Sequence, residues 1–230
     1  MTPEMAFECL LVSHDPAVFC TVGRILQDFS IHTNVCATPS KAANLLADGN
    51  TDLIVIDLES EQSSELMQQI CDSHMRQKPT IVGVSAVDRL MPGVHVILQK
   101  PVTPESGAKS LKAAYSRMLR DYRKHTRFAL MTPVLATDKN NRIITATVTN
   151  IGEGGVGLTT QNQLRIGSIL SFRVPLIGSG TAIHIQARVL WTRQYGAVGC
   201  EFVRISPGDL LVLHAWLESR YRFKKPLVPV

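Results

Sequence analysis

The sequence predicts two fold classes in one chain: an α/β half built on a doubly wound parallel sheet, then an all-β half forming a six-stranded antiparallel barrel with a C-terminal helix. Three observations carry that prediction. Short continuous apolar runs alternate with helical patterns over the first hundred residues, whereas past residue 128 the periodicity shortens to that of strands separated by turn residues. The charge balance also changes sign, since residues 1–114 carry 8 Lys and Arg against 13 Asp and Glu, a net −5, and residues 115–230 carry 16 against 6, a net +10. At 230 residues and 45% hydrophobic content the chain can bury two modest cores.

Glu8 to Ser13 is the first apolar run, and Asp15-Pro16 can cap and open a helix toward Phe29. A strand near His32 to Ala37 precedes Pro39 and an Ala/Leu-rich helix. Asp52 to Leu58 then reads as a continuous buried strand carrying Asp57 at its end. Thr80 to Ser85 and His95 to Leu98 supply two further strands. Strands alternating with helices in this way predict a parallel sheet covered on both faces, with ligands expected at the carboxyl ends of its strands. Thr103-Pro104-Glu105 starts one long amphipathic helix, with Ala108, Leu111, Tyr115, Met118, Leu119 and Tyr122 at three-and-four spacing. No Gly or Pro interrupts it between Ala108 and the basic stretch Arg120 to Arg127, so a stiff junction is expected.

Six strands follow: Ala129 to Ala136, Ile143 to Thr149, Val156 to Thr160, Ile169 to Val174, Ile183 to Trp191 and Ala197 to Val203, with turns at Asp138 to Asn141 and Gly178 to Gly180. Ser206-Pro207 opens a last helix whose Leu210, Leu213, Leu217 and Tyr221 form an apolar stripe. That stripe can seal the barrel or pair two copies into a homodimer, the first being its commoner use. The expected division is residues 1–114 as the α/β domain, 115–127 as linker helix and arginine segment, and 128–230 as the barrel domain.

No apolar run approaches the roughly 20 residues that cross a bilayer, and Met1 to Glu8 carries two acids where a leader needs basic residues. A cytoplasmic protein is the expectation. Cys9, Cys20, Cys36, Cys71 and Cys200 are odd in number and widely spaced, which fits reduced, buried thiols rather than disulfides or a zinc site. The seven histidines show no metal-ligand spacing. No nucleophile, base and orienting group stand at recognisable spacing, so neither an enzyme nor a bound cofactor or metal is expected. The basic half lacks interleaved aromatics or a recognition-helix pattern, which argues against nucleic acid.

Arg123 and Arg127 stand four residues apart just before the first barrel strand, and planar guanidinium can grip a phosphate or the O6/N7 edge of guanine with two parallel bonds. Asn150-Ile151-Gly152-Glu153-Gly154-Gly155 is a polar residue at a strand end followed by a glycine-rich turn. Bare backbone there admits close approach of a ligand, and the Asn150 carboxamide can meet the polar edge of a base. Arg-x-x-x-Arg followed two strands later by Asn-x-x-x-x-Gly resembles the PilZ family, as do Ala187 to Trp191 and Val198 to Val203, which look like its late strands. The resemblance implies a receptor for cyclic di-GMP bound by Arg123, Arg127, Asn150, Gly152 and Gly155. Ligand closure over the arginine segment would change domain orientation or partner binding. The alternative is a PilZ-like scaffold that acts through protein contacts alone. Gly152 stands where the family usually has serine, a lost hydroxyl contact worth roughly 0.5 to 1.5 kcal/mol.

The first half resembles a response-regulator receiver, with Asp57, Ser85 and Lys100-Pro101 at the phosphoacceptor, hydroxyl and lysine positions. It departs from that pattern where Ser13-His14-Asp15-Pro16 replaces the acidic pair that holds Mg²⁺, and phosphoryl transfer to a carboxylate leans on that cation. The interval from Ser85 to Lys100 is also too short for a full helix with both connections. The reading is a degenerate receiver in which Asp57 stays unmodified and the domain presents a surface to an unknown protein partner.

Overall fold

The computed structural model describes residues 6–47, 51–60, 62–72, 78–87 and 91–221. Residues 1–5, part of the argument against a leader, and residues 222–230, the end of the expected barrel domain, lie outside the described residues. The chain divides between Arg120 and Asp121 into two compact units.

The first unit holds β1 (Glu8–Val12), α1 (Pro16–Asp28), β2 (His32–Cys36), α2 (Pro39–Ala47), β3 (Leu53–Asp57), α3 (Ser63–Asp72), β4 (Thr80–Ser85) and β5 (Val96–Gln99). It ends within α4 (Pro104–His125), whose last residues belong to the second unit. The strands pair in parallel in the order β2-β1-β3-β4-β5, a doubly wound arrangement. All five residues of β3 are buried, as the unbroken apolar run requires of a central strand covered on both faces. The Asp15 side chain accepts from Ala17 N at 2.8 Å and Pro16 takes the first helical position, so α1 starts where the sequence placed its cap. Phe7 and Phe29 pack on Tyr115 with ring centroids 5.6 and 5.5 Å apart, burying the start of α4 in this unit. Among the described residues between β4 and β5 there is no helix, in keeping with the short interval.

The second unit is a closed barrel of β6 (Phe128–Asp138), β7 (Ile143–Ile151), β8 (Gly155–Thr159), β9 (Ile169–Leu176), β10 (Thr181–Thr192) and β11 (Ala197–Ile205), in the order β10-β11-β8-β7-β6-β9. All pairs are antiparallel. Alternate residues of β6 and β9 point inward, and Val134, Ala136, Phe172 and Val174 join the core. Closure leaves no open sheet edge. The Asp138 carboxylate shapes the β6–β7 turn by accepting from Asn140 N and Arg142 N at 2.8 and 3.0 Å, bonds that hold it below the usual carboxylate range. Then α5 (Pro207–Glu218) packs Leu213, Trp216 and Leu217 into the barrel core. Trp216 Nε1 donates to Ile177 O at 2.9 Å. The stripe of α5 thus serves core packing, while Leu211 remains 70% exposed. No described helix is long and apolar enough to cross a membrane.

The cysteines require a correction. Cys9, Cys36 and Cys200 are buried as expected, but Cys20 and Cys71 lie on outward positions of α1 and α3 and are exposed. Burial also pushes the Cys200 thiol up to about 12 and raises that of Cys9. Titration with an aromatic disulfide reagent at neutral pH is therefore expected to modify Cys20 and Cys71 quickly and the other three only on unfolding; fast reaction of Cys200 would contradict this packing.

Candidate functional site

Arg123 sits in the last turn of α4, where a cation suits the carbonyl end of the helix. Its Nη2 lies 2.9 Å from Glu218 Oε1, and its guanidinium lies 5.7 Å from the centroid of the Tyr221 ring. Tyr221 packs against Phe128 at 5.2 Å, and its hydroxyl is buried without a hydrogen-bond partner among the described residues. Burial, then the charge of Glu153, pushes this phenol up to about 12, with Arg123 pulling the other way.

Arg127 lies in the extended step between α4 and β6. Its Nη1 donates to Lys124 O at 2.9 Å and to Thr126 O at 3.0 Å, satisfying carbonyls that the helix end leaves open. The same side chain lies across Gly152. A Cβ at Gly152 would collide with Thr126 O and stand 2.5 Å from Arg127 Nη1 and 2.7 Å from its Cδ. The glycine at the family's serine position is thus more than a missing hydroxyl, because its bare backbone is what lets Arg127 fold down.

The turn beneath is fastened twice, by Gly152 N donating to Gly155 O and Phe202 N donating to Gly154 O, both at 3.0 Å. Gly155 pairs with Glu201 on β11, and a Cβ there would run into Cys200 O. Asn150 pairs with Gly157, Gly157 with Gly199, and Gly199 with Trp191. These four residues form one row across the outer face of β7, β8, β11 and β10. The Asn150 side chain lies on Gly157 from one side and the Trp191 indole lies on Gly199 from the other, each filling the space a Cβ would need. The two glycines thereby floor a shallow face between a carboxamide and an indole that is 42% exposed. Arg188 and Glu201, paired at 3.4 Å, flank it in the next row.

Arg127, Gly152, Gly155 and Asn150 therefore converge on this end of the barrel, and Arg123 stands beside them through Tyr221 and Phe128. Trp191 and Gly199 fall in segments read only as late strands of the family, and Gly157 in an ordinary strand; strand register alone aligns all three with Asn150. For Gly157 and Gly199 the sequence signal is a Gly at an outward position of each of two strands, where packing would otherwise favour a side chain.

In the first unit Asp57 is buried at the end of β3 and fully engaged. Lys100 Nζ lies 3.0 Å from both its carboxylate oxygens and 2.8 Å from Glu59 Oε2, and Ser13 Oγ donates to Asp57 Oδ2 at 3.0 Å. Burial works to lower the Lys100 pKa, but the bonds to Glu59 and Asp57 prevail and raise it above the ordinary lysine value. The bond to Lys100, followed by Ala86 N, draws Glu59 below its usual value. Asp15 is spent on capping α1. Ser85 Oγ accepts from Val87 N at 3.1 Å. The Lys100 ammonium thus neutralises the buried Asp57 carboxylate. Exposure to a small-molecule phosphodonor is expected to leave Asp57 unmodified by mass spectrometry; a phosphoryl mass gain abolished by Asp57→Asn would overturn that reading.

The chain's fold is similar over its first half to the chemotaxis response regulator CheY4 of Vibrio cholerae (18% identity, 48% of this chain and 99% of that one, TM-score 0.43). Similarity also extends to the PilZ domain of CeSA from a cellulose-synthesizing bacterium (14% identity, 41% of this chain and 97% of that one, TM-score 0.34). The Bacillus subtilis inhibitor of motility MotI/DgrA is 20% identical over 43% of this chain and 50% of that one, with a TM-score of 0.34. No curated protein matches. The family described as PilZ domain matches residues 121–219, which span α5, all six barrel strands and both arginines. With the closed barrel, the arginine pair and the glycine turn in place, residues 121–219 of this chain are a PilZ domain.

Proposed function

We propose that this protein is a receptor for cyclic di-GMP, bound on the outer barrel face by Arg123, Arg127, Asn150 and the turn Gly152 to Gly155. The observation that supports this most is the seating of Arg127 on Gly152, which puts a guanidinium fork directly over the bare turn. Guanine edges and phosphates are both met by such forks, and each good bidentate contact contributes about 1–3 kcal/mol. Trp191 offers a stacking surface on the same face. Binding would exchange the bonds of Arg127 to Lys124 O and Thr126 O for bonds to ligand, reordering residues 123–127. The output would be a change of domain orientation or of partner binding, without any covalent bond made or broken.

The scaffold reading has one observation in its favour: Arg127 is already satisfied by its own backbone. Calorimetric titration with cyclic di-GMP, with GTP and a linear dinucleotide as controls, separates the two. Saturable, selective binding establishes the receptor, and absence of binding at high ligand concentration leaves the scaffold. Gly152→Ser sharpens the test. Its Cβ meets the main-chain carbonyl of Thr126 as well as Arg127, so residues 126 and 127 must both shift off the turn, which makes part of the reordering of residues 123–127 in advance of binding, while its hydroxyl restores a ligand contact. The expected gain is about tenfold in affinity. Weaker binding by the variant would mean that the folded-down Arg127 is itself the binding form.

A further inference from the structure

We propose that the end of the barrel remote from Arg127 is a docking groove for an acidic segment of a partner protein that carries an apolar side chain. This groove lies at the far end of β6 from Arg127, beyond Asp138, and its Arg193 edge adjoins Trp191. It is a cleft of about 1470 Å³ between the β6–β7 turn, the segment after β8 and the connection from β10 to β11. That exceeds the roughly 300–1,000 Å³ of small-molecule pockets and suits a length of chain.

Its lining is one-sided in charge. Lys139, Arg142, Arg165 and Arg193 face it, and Asp138 is the one acid among its lining residues. Asp138 is already committed to Arg142 at 3.3 Å and to the turn N–H groups. Lys139, Arg165 and Arg193 have no carboxylate partner among the described residues, Arg193 instead stacking 4.9 Å from the Trp191 ring centroid. The groove therefore selects for negative charge.

Charge alone would admit a nucleic acid, but two apolar groups decide otherwise. Ile166 is 69% exposed and Tyr195 is 96% exposed, both on this groove. Tyr195 is held at φ +62°, a conformation costly for a bulky residue, and its ring packs on nothing in the barrel. The adjacent Gly196 is pressed against Thr160, where a Cβ would collide with the carbonyl, so the turn that displays the tyrosine has a defined position. A phosphodiester backbone would leave Ile166 in water, whereas a polypeptide can cover it. Tyrosine and arginine beside an apolar centre with few acids is also the composition of protein-binding surfaces.

The test is an NMR titration of the ¹⁵N-labelled full chain with a short synthetic peptide of Glu and Asp flanking a central leucine. Parallel titrations use the same peptide with serine for leucine, and a single-stranded oligonucleotide. Saturable shifts of the Arg165, Ile166 and Tyr195 amides are expected, about tenfold weaker for the serine peptide. They should be lost in Lys139→Glu/Arg165→Glu and weakened in Tyr195→Ala, with the remaining spectrum and the response to cyclic di-GMP unchanged. Lack of shifts at millimolar peptide overturns the proposal. So does equal binding of the serine peptide, which would be bare charge attraction, or tighter binding of the oligonucleotide at the same amides.

Discussion

Replacing Arg123 and Arg127 together by alanine is expected to reduce cyclic di-GMP affinity by more than about 100-fold while the barrel stays folded. The loss follows from removing two guanidinium forks, each worth about 1–3 kcal/mol against a guanine edge. Retention of the fold follows from what the arginines do without ligand. Arg123 makes a partly exposed ion pair to Glu218, of the sort that contributes about 0–1 kcal/mol, and Arg127 is exposed, donating only to local carbonyls. Arg127→Lys keeps the charge but loses the fork, so its affinity should fall between wild type and alanine. Calorimetry reads the binding, and far-ultraviolet circular dichroism with a thermal scan reads the fold. Unchanged binding in the double variant would remove these residues from the site.

Gly155→Ala is expected to damage the barrel itself. Its Cβ would run into the carbonyl of Cys200, a main-chain atom of the strand with which β8 pairs. No rotamer relieves a clash with backbone, so either β8 and β11 separate locally or both bend. Overpacking of a well-packed site costs about 1–3 kcal/mol, and a clash with backbone belongs at the top of that range. For a unit of this size that lowers the melting temperature by roughly 10–20 °C. Gly154→Ala is the control, because nothing lies within 4 Å of a Cβ at that position. Equal melting temperatures for the two variants would show that β8 and β11 do not approach as closely as the register implies.

These two expectations separate what the arginine motif and the glycine motif contribute. On the proposed reading the arginines serve ligand, and their contacts in this structure contribute little to folding. Gly155 serves the approach of two strands and closes the turn between β7 and β8. Gly152 lies between these cases, as its bare backbone accommodates the Thr126 carbonyl and the Arg127 side chain rather than another strand.

Element type and order were legible in the sequence, because periodicity and capping are local. The buried run through Asp57, the Asp15-Pro16 start of α1 and the period-two strands past Phe128 each depend on residues a few positions apart. The arginine pair, Asn150 and the glycine turn were legible for the same reason. Tertiary structure alone decided which distant residues meet. Strand register set Trp191, Gly199 and Gly157 in line with Asn150, and no local pattern encodes the pairing of β11 with β10 and β8. It also decided that Arg127 rests on Gly152, that Lys100 fills the charge requirement of Asp57 across more than forty residues of chain, and that Cys20 and Cys71 face outward. Sequence can state which groups are present and roughly how each segment coils; the contacts that give those groups their roles are made between segments, where only the closed barrel and the parallel sheet bring them within reach.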